Sequence, residues 1–193
     1  MGPDPIFRLI LASSSPQRRD LLREAGHAFE VVPPGEAESA ARANPRELAE
    51  RLAYFKAREV ADRVKSGLVL GADTLVVLGE QVIGKPTGPA DARRILRTLA
   101  GTRHVVITGV CLLDAATGLR LVGSESTRIR MRPMSDHEID EYVSSGAAAG
   151  KAGAYAVRAE GDPYVESMEG SFTNVVGLPM ELVARMMRLA EHL

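Results

Sequence analysis

Apolar positions along this chain alternate between two spacings. Short unbroken apolar runs, as in buried strands, give way to stretches where apolar residues recur every three or four positions, as on one face of a helix. Leu9-Ile10-Leu11-Ala12 is the first run, and it ends in Ser13-Ser14-Ser15-Pro16. Serine before proline marks a helix start: the hydroxyl takes an orphan N–H of the first turn, and proline has no N–H to lose. The predicted helix passes through Leu21-Leu22 and stops at Gly26. A second strand is expected around Phe29-Glu30-Val31-Val32, followed by a long polar loop over residues 33–43. Asn44-Pro45 repeats the cap-then-proline start, and the next helix, with Leu48, Leu52, Phe55 and Val60 on its apolar face, extends to about Val64.

Leu68-Val69-Leu70-Gly71-Ala72 is read as a buried strand that delivers Asp73-Thr74 at its polar end. Leu75 to Leu78, Gly79-Glu80 and Gln81-Val82-Ile83 then read as strand, two-residue turn and strand. A helix over residues 89–99, a strand over 104–113, a turn at Thr117-Gly118 and a strand to about Met131 follow. Ser135 caps a helix holding Ile139 and Tyr142. Beyond Lys151 the pattern suggests short strands around Gly153, Gly161 and Gly170, then a last helix over residues 179–190. Strands alternating with helices, plus interior hairpins, predict an α/β fold: a mixed twisted sheet flanked by helices, in one domain with two lobes.

Charge narrows the partners. Lys and Arg number 24 against 25 Asp and Glu, a formal net charge of −1. Nucleic-acid polymers and anionic membranes are held by net basic surfaces, so any polyanion bound here is expected to be small. Tryptophan is absent and aromatic residues make up 4%, leaving little for base-stacking platforms. No apolar run approaches the ~20 residues that span a bilayer. The start, Met1-Gly2-Pro3-Asp4-Pro5, lacks the basic stretch and apolar core of a secretory signal, which makes cytoplasm the expected address. The single cysteine, Cys111, sits in an apolar run and is expected to be a buried strand thiol.

Three polar groups stand where α/β sheets usually build sites, beyond strand ends and at helix starts. Ser13-Ser14-Ser15-Pro16-Gln17-Arg18-Arg19 brings hydroxyls, N–H groups and guanidinium donors to one helix start, an anion cradle as well as an ordinary cap. Asp73 offers a carboxylate that can bind a divalent metal, accept a proton from water or simply cap a loop. Lys85, in Gly84-Lys85-Pro86, is placed to reach phosphate or solvent. A P-loop is excluded, because Ile83-Gly84-Lys85-Pro86 lacks the upstream glycine and the following hydroxyl. His27, His104, His137 and His192 have no zinc-ligand spacing, and no Gly-x-Ser-x-Gly elbow occurs. The remaining inventory suits a triphosphate, with cations for its oxygens and carboxylates for a metal and a water, without fixing which bond breaks.

Six segments in order, Leu11-Ala12-Ser13-Ser14-Ser15-Pro16-Gln17-Arg18, Leu52-Ala53-Tyr54-Phe55-Lys56-Ala57, Gly71-Ala72-Asp73-Thr74-Leu75-Val76, Gly84-Lys85-Pro86, Lys151-Ala152-Gly153-Ala154-Tyr155 and Asn174-Val175-Val176-Gly177-Leu178-Pro179, resemble the successive motifs of the Maf family. The resemblance runs from about Leu9 to Met187. It implies two lobes around a deep cleft, an architecture related to the inosine triphosphate pyrophosphatases, and often a homodimer. The implied activity is cleavage of nucleoside triphosphates between the α and β phosphates, giving monophosphate and pyrophosphate, with Mg²⁺ or Mn²⁺. Matched motif by motif, Ser13, Ser15 and Arg18 would grip phosphate, and Lys56 and Lys85 would neutralise it. Asp73 would be the general base and a metal ligand, and Glu38 would help hold the metal, with Glu36 as the competing choice.

Gly-Ala-Asp-Thr, which includes Thr74, and Lys-Ala-Gly-Ala-Tyr resemble the subgroup that prefers dTTP and UTP. That subgroup usually has arginine where this chain has Gln17, glutamine where it has Arg158, and aspartate where it has Gly150. The first two positions bear on base choice, so Gln17 and Arg158 either share the recognition in exchanged form or shift it, for example toward CTP or modified pyrimidine nucleotides. A non-catalytic nucleotide-binding regulator of septum formation is the alternative function, set apart by whether Asp73 is needed.

Overall fold

Ser15 and Asn44 cap the helices that the cap-then-proline signals announce. The computed structural model describes residues 8–35, 44–157 and 162–190. Its strands are β1 (Leu9–Ala12), β2 (Glu30–Val31), β3 (Leu68–Leu78), β4 (Gln81–Ile83), β5 (Arg103–Asp114), β6 (Arg120–Met131) and β7 (Val165–Glu169). The helices are α1 (Pro16–Glu24), α2 (Pro45–Val64), α3 (Pro89–Leu99), α4 (Asp136–Ser144), α5 (Phe172–Val176) and α6 (Met180–Ala190). The seven strands form one sheet in the order β2-β1-β3-β5-β6-β7, with β4 on β3. β1 pairs in parallel with β2 and β3, whereas β4 on β3 and β7 on β6 are antiparallel. This is the mixed sheet flanked by helices that the patterning predicts.

By packing, the chain divides into two units: Met1–Asp73 with Thr108–Glu125 and Gly177–Leu193, and Thr74–Ile107 with Ser126–Val176. In the first unit, side chains alternate between the two sheet faces, as the period of a strand requires. Leu9, Leu11, Leu70 and Leu112 face a core shared with Leu22 of α1 and Leu182 and Val183 of α6. Ile10, Ala12, Val69 and Cys111 face the opposite core, with Ala53, Ala57 and Val60 of α2. Ala49, Ala53 and Ala57, four residues apart, are fully buried along one stripe of that helix. The strands meet this stripe with glycines. A Cβ on Gly71 would stand 2.3 Å from the Ala53 carbonyl oxygen, and one on Gly109 would stand 2.2 Å from the Ala49 carbonyl. Helix backbone therefore lies directly on strand backbone.

The second unit has its own core, where Ile95, Leu96 and Leu99 of α3 meet Ile129, Met131, Ile139 and Val143. α4 opens with a complete capping box, in which Ser135 and Glu138 satisfy each other's backbone N–H groups. Arg93 and Arg97 of α3 pair with Asp140 and Asp136 of α4 at 2.5 and 2.7 Å. Among the described residues, no helix is long and apolar enough to cross a membrane.

Three segments differ from the reading of the sequence. On α2 the buried stripe is Ala49, Ala53, Ala57 and Val60, while Leu48 and Leu52 are half-buried and Phe55 is exposed. Asp73-Thr74 does not end a strand, because β3 runs unbroken for 11 residues. Polar side chains interrupt the apolar run, but a strand is terminated by loss of backbone pairing, not by loss of apolarity. Around Gly153 the chain forms a 3₁₀ turn over Ala152–Ala154 in place of a strand, and Gly161 lies outside the described residues. β7 runs up to Gly170 as expected and is followed by the short α5 and by α6. Here Ser171 acts as a local cap, its Oγ accepting the Asn174 N–H at 3.2 Å.

Gly109→Ala places a methyl group inside the α2 backbone, so it is expected to destabilise the protein by about 3 kcal/mol, at the upper end for overpacking. Urea unfolding reads this directly, and an unchanged midpoint would mean that α2 is not seated on β5.

Candidate active site

The start of α1 is organised around one buried hydroxyl. Ser13, 3% exposed, accepts the Ser15 N–H at 3.1 Å and Nη1 of Arg18 at 3.3 Å. Ser15 caps the helix by accepting the Arg18 N–H at 3.5 Å. Its own proton goes to Oε1 of Gln17 at 2.9 Å. Arg18 then reaches across to the last motif, donating from Nε to the Gly177 carbonyl at 2.7 Å. Burial pushes the Arg18 guanidinium below its ordinary value, and the charge of Asp73 acts in the opposite direction. A guanidinium stays protonated under such a shift, so a fixed positive charge stands near Asp73.

Asp73 owes its direction to Gly71. The two residues lie two apart in β3 and share the face that α2 covers. Lys56 flanks Ala57, the residue seated on Gly71, and its Nζ donates to Oδ1 of Asp73. Both side chains are mostly enclosed, 20% and 16% exposed. The first unit thus brings together Ser13, Ser15, Gln17, Arg18, Lys56 and Asp73. The contact with Gly177 was not assigned from the sequence: a backbone carbonyl has no residue signature, and the only available signal was the co-occurrence of the Ser-rich and Asn174-to-Pro179 motifs.

The profile of the family described as Maf-like protein matches residues 8–190. The chain belongs to the Maf family. A dTTP/UTP pyrophosphatase of Anaeromyxobacter dehalogenans is 45% identical over 185 residues, covering 95% of this chain and 94% of that one. Proteins of the same name from Pelotomaculum thermopropionicum and Ruminiclostridium cellulolyticum are 44% and 42% identical, each over 93% of this chain and at least 94% of theirs. Among solved structures, the Staphylococcus aureus Ham1 protein aligns with a TM-score of 0.48 at 15% identity, over 82% of this chain and 80% of that one.

In this Maf-family chain, Thr74 and Lys85 belong to the second unit. Thr74 is half-buried in β3 and Lys85 is exposed between β4 and α3. Lys85 borders a cavity of about 90 Å³ lined also by Asp91, Arg94 and Thr98, too small for a nucleoside triphosphate. Glu36, Glu38 and Arg158 lie outside the described residues. Among the described residues, no three His, Cys, Asp or Glu side chains gather as a metal cluster. Cys111 is fully buried, as expected, and burial pushes its thiol up to about 12.

The second unit also buries a polar pair. Nε2 of His104 and the hydroxyl of Tyr155 lie 2.6 Å apart, and burial lowers His104 to about 4.

Two outcomes follow from this arrangement. Arg18→Met strips the donors from Ser13 and Gly177, and urea unfolding is expected to show a loss of about 1–3 kcal/mol. His104 is neutral when folded but protonates near pH 6.5 when unfolded. Its contribution is therefore fully present above pH 6.5 and is lost as pH falls toward 4, about 3 kcal/mol in all. Glu138, held down to about 2 by Arg132 and the Ser135 cap, loses its contribution only in more acid solution. Unfolding measured against pH in wild type and His104→Leu separates the two windows, since the variant lacks the decline above pH 4.5.

Proposed function

We propose that this Maf-family chain hydrolyses nucleoside triphosphates between the α and β phosphates, with dTTP and UTP as its preferred substrates. The observation that carries the reading is the carboxylate of Asp73, bonded to Lys56 and facing the charge of Arg18 beside the start of α1. Relatives named dTTP/UTP pyrophosphatase, matching this chain over more than 90% of its length, give the arrangement its substrate class.

The chemistry needs a water aligned with the α-phosphorus and stabilisation of the leaving pyrophosphate. Asp73 accepts the proton as the water oxygen bonds to phosphorus. The bridging P–O bond breaks, and its electron pair leaves with pyrophosphate. Lys56 offsets the phosphate charge, and Ser13, Ser15 and Arg18 set the α1 start against it; the Gly84-Lys85-Pro86 motif makes Lys85 a further phosphate-binding lysine. The donor chemistry fits a divalent cation: Mg²⁺ takes oxygen ligands from one or two carboxylates plus phosphate and water, and Asp73 with Glu38 would provide the carboxylates. When bound, such an ion supplies further neutralisation of the triphosphate.

Gln17 keeps one feature of the arginine it replaces. Because Oε1 accepts the Ser15 hydroxyl, the group left for an outside acceptor is the Nε2 amide. In that pose Nε2 donates as an arginine would, while Oε1 keeps a second lone pair that arginine lacks.

Pyrophosphate release is measured across dTTP, UTP, CTP, GTP, ATP and 7-methyl-GTP with Mg²⁺ or Mn²⁺. We expect metal-dependent release, fastest with dTTP and UTP, and a fall of roughly 10²–10⁴-fold in Asp73→Asn, as for loss of a general base. Tight nucleotide binding without turnover would overturn the catalytic reading.

A further inference from the structure

The turn that follows α4 has two consecutive residues in the left-handed region: Gly153 at φ 72 and Ala154 at φ 59. Glycine adopts this region freely, but alanine is strained there, and such strain persists only where its surroundings over-determine it. Three contacts do so. Ala154 is fully buried and donates its N–H to the Lys151 carbonyl at 3.0 Å. Gly153 is packed so closely on Val76 that a Cβ would come within 2.9 Å of its Cγ2. Tyr155, the next residue, turns its ring edge-on to His104, with centroids 5.5 Å apart at 80°, and closes the 2.6 Å polar contact.

The His104–Tyr155 pair is a costly way to fill a core. Both residues are buried, at 3% and 7% exposure, and Nδ1 of His104 has no hydrogen-bond partner among the described residues. Replacing both members of such a pair by apolar groups of similar shape is often neutral or stabilising. Its presence points to geometry rather than stability. The geometry it holds is specific: the Gly153 N–H donates to the Gly84 carbonyl at 3.1 Å. That carbonyl and the Lys85 N–H belong to one planar peptide unit, so holding the first fixes the direction in which Lys85 leaves the loop. Gly84 has no neighbour within 4 Å of where a Cβ would stand, so packing on its own side chain position cannot do this.

We propose that Tyr155 and His104 are positioning residues for Lys85. Their buried hydrogen bond keeps the Gly153–Ala154 turn left-handed, and the turn holds the Gly84–Lys85 peptide in the pose from which Lys85 binds phosphate. The inference rests on the function proposed above, in which Lys85 binds phosphate.

The test is a double-mutant cycle on dTTP hydrolysis with Mg²⁺, using Tyr155→Phe, Lys85→Met and the two combined. Tyr155→Phe alone is expected to raise KM roughly fivefold with little change in kcat, the scale of coupling seen between linked residues. On the Lys85→Met background it should have almost no further effect. Because Tyr155→Phe leaves His104 buried without its partner, His104→Leu with Tyr155→Phe is the second variant. It removes both polar members, and a thermal melt should show it folded. It should still raise KM by the same factor, which a merely structural pair would not do. If Lys85→Met raised KM and Tyr155→Phe added its full effect on top, the positioning role would be overturned while the functional reading stood. If Lys85→Met itself left KM unchanged, the phosphate role of Lys85 would fall, and the positioning role with it.

Discussion

Seating the backbone of α2 directly on the backbones of β3 and β5 is the constraint from which the first unit follows. Gly71 and Gly109 leave no room for a side chain, and the helix answers with alanines at four-residue spacing. Close approach fixes both the height of the helix above the sheet and its rotation about its own axis. Lys56 is then on the shoulder of the buried stripe, at the height of Asp73. A helix held off by larger side chains would still bury apolar surface, but it would carry the ammonium group away from the carboxylate. The hydrophobic effect favours burial without direction; the glycine contacts supply the direction.

Much of this was legible in the sequence because it is local. Ser15-Pro16 and Asn44-Pro45 state where helices begin, and both caps form as read. The unbroken apolar run Leu9-Ile10-Leu11-Ala12 and its neighbours read as strands covered on both faces. What was not legible depends on partners distant in the chain. The continuity of β3 through Asp73-Thr74 is decided by pairing with other strands, which local polarity does not reveal. The bond from Arg18 to the Gly177 carbonyl spans 159 positions and ends on a backbone atom. The left-handed Ala154 contradicts what alanine prefers, so no propensity argument reaches it.

The candidate site was legible as an inventory and not as an arrangement. Serines, a guanidinium, two lysines and an aspartate announce affinity for phosphate, yet several of these groups first bind one another. Ser13 serves Ser15 and Arg18, Arg18 serves Gly177, and Lys56 serves Asp73. Such internal commitments set the poses of the groups before any ligand arrives, which lowers the ordering cost at binding. The residues that surround phosphate chemistry are therefore divided between holding the site in shape and facing the ligand, and composition alone does not divide them.

Cys111 lies in the middle of β5, fully buried beneath α2, and it is the chain's single cysteine. Its high pKa leaves almost no thiolate near neutral pH, and thiolate is the form that reacts with oxidants and alkylating reagents. The folded molecule is thus chemically silent toward such reagents, and modification must wait for the strand to open. The rate at which a thiol reagent labels the native protein becomes a clock for the separation of α2 from the sheet, built into the chain without an engineered probe.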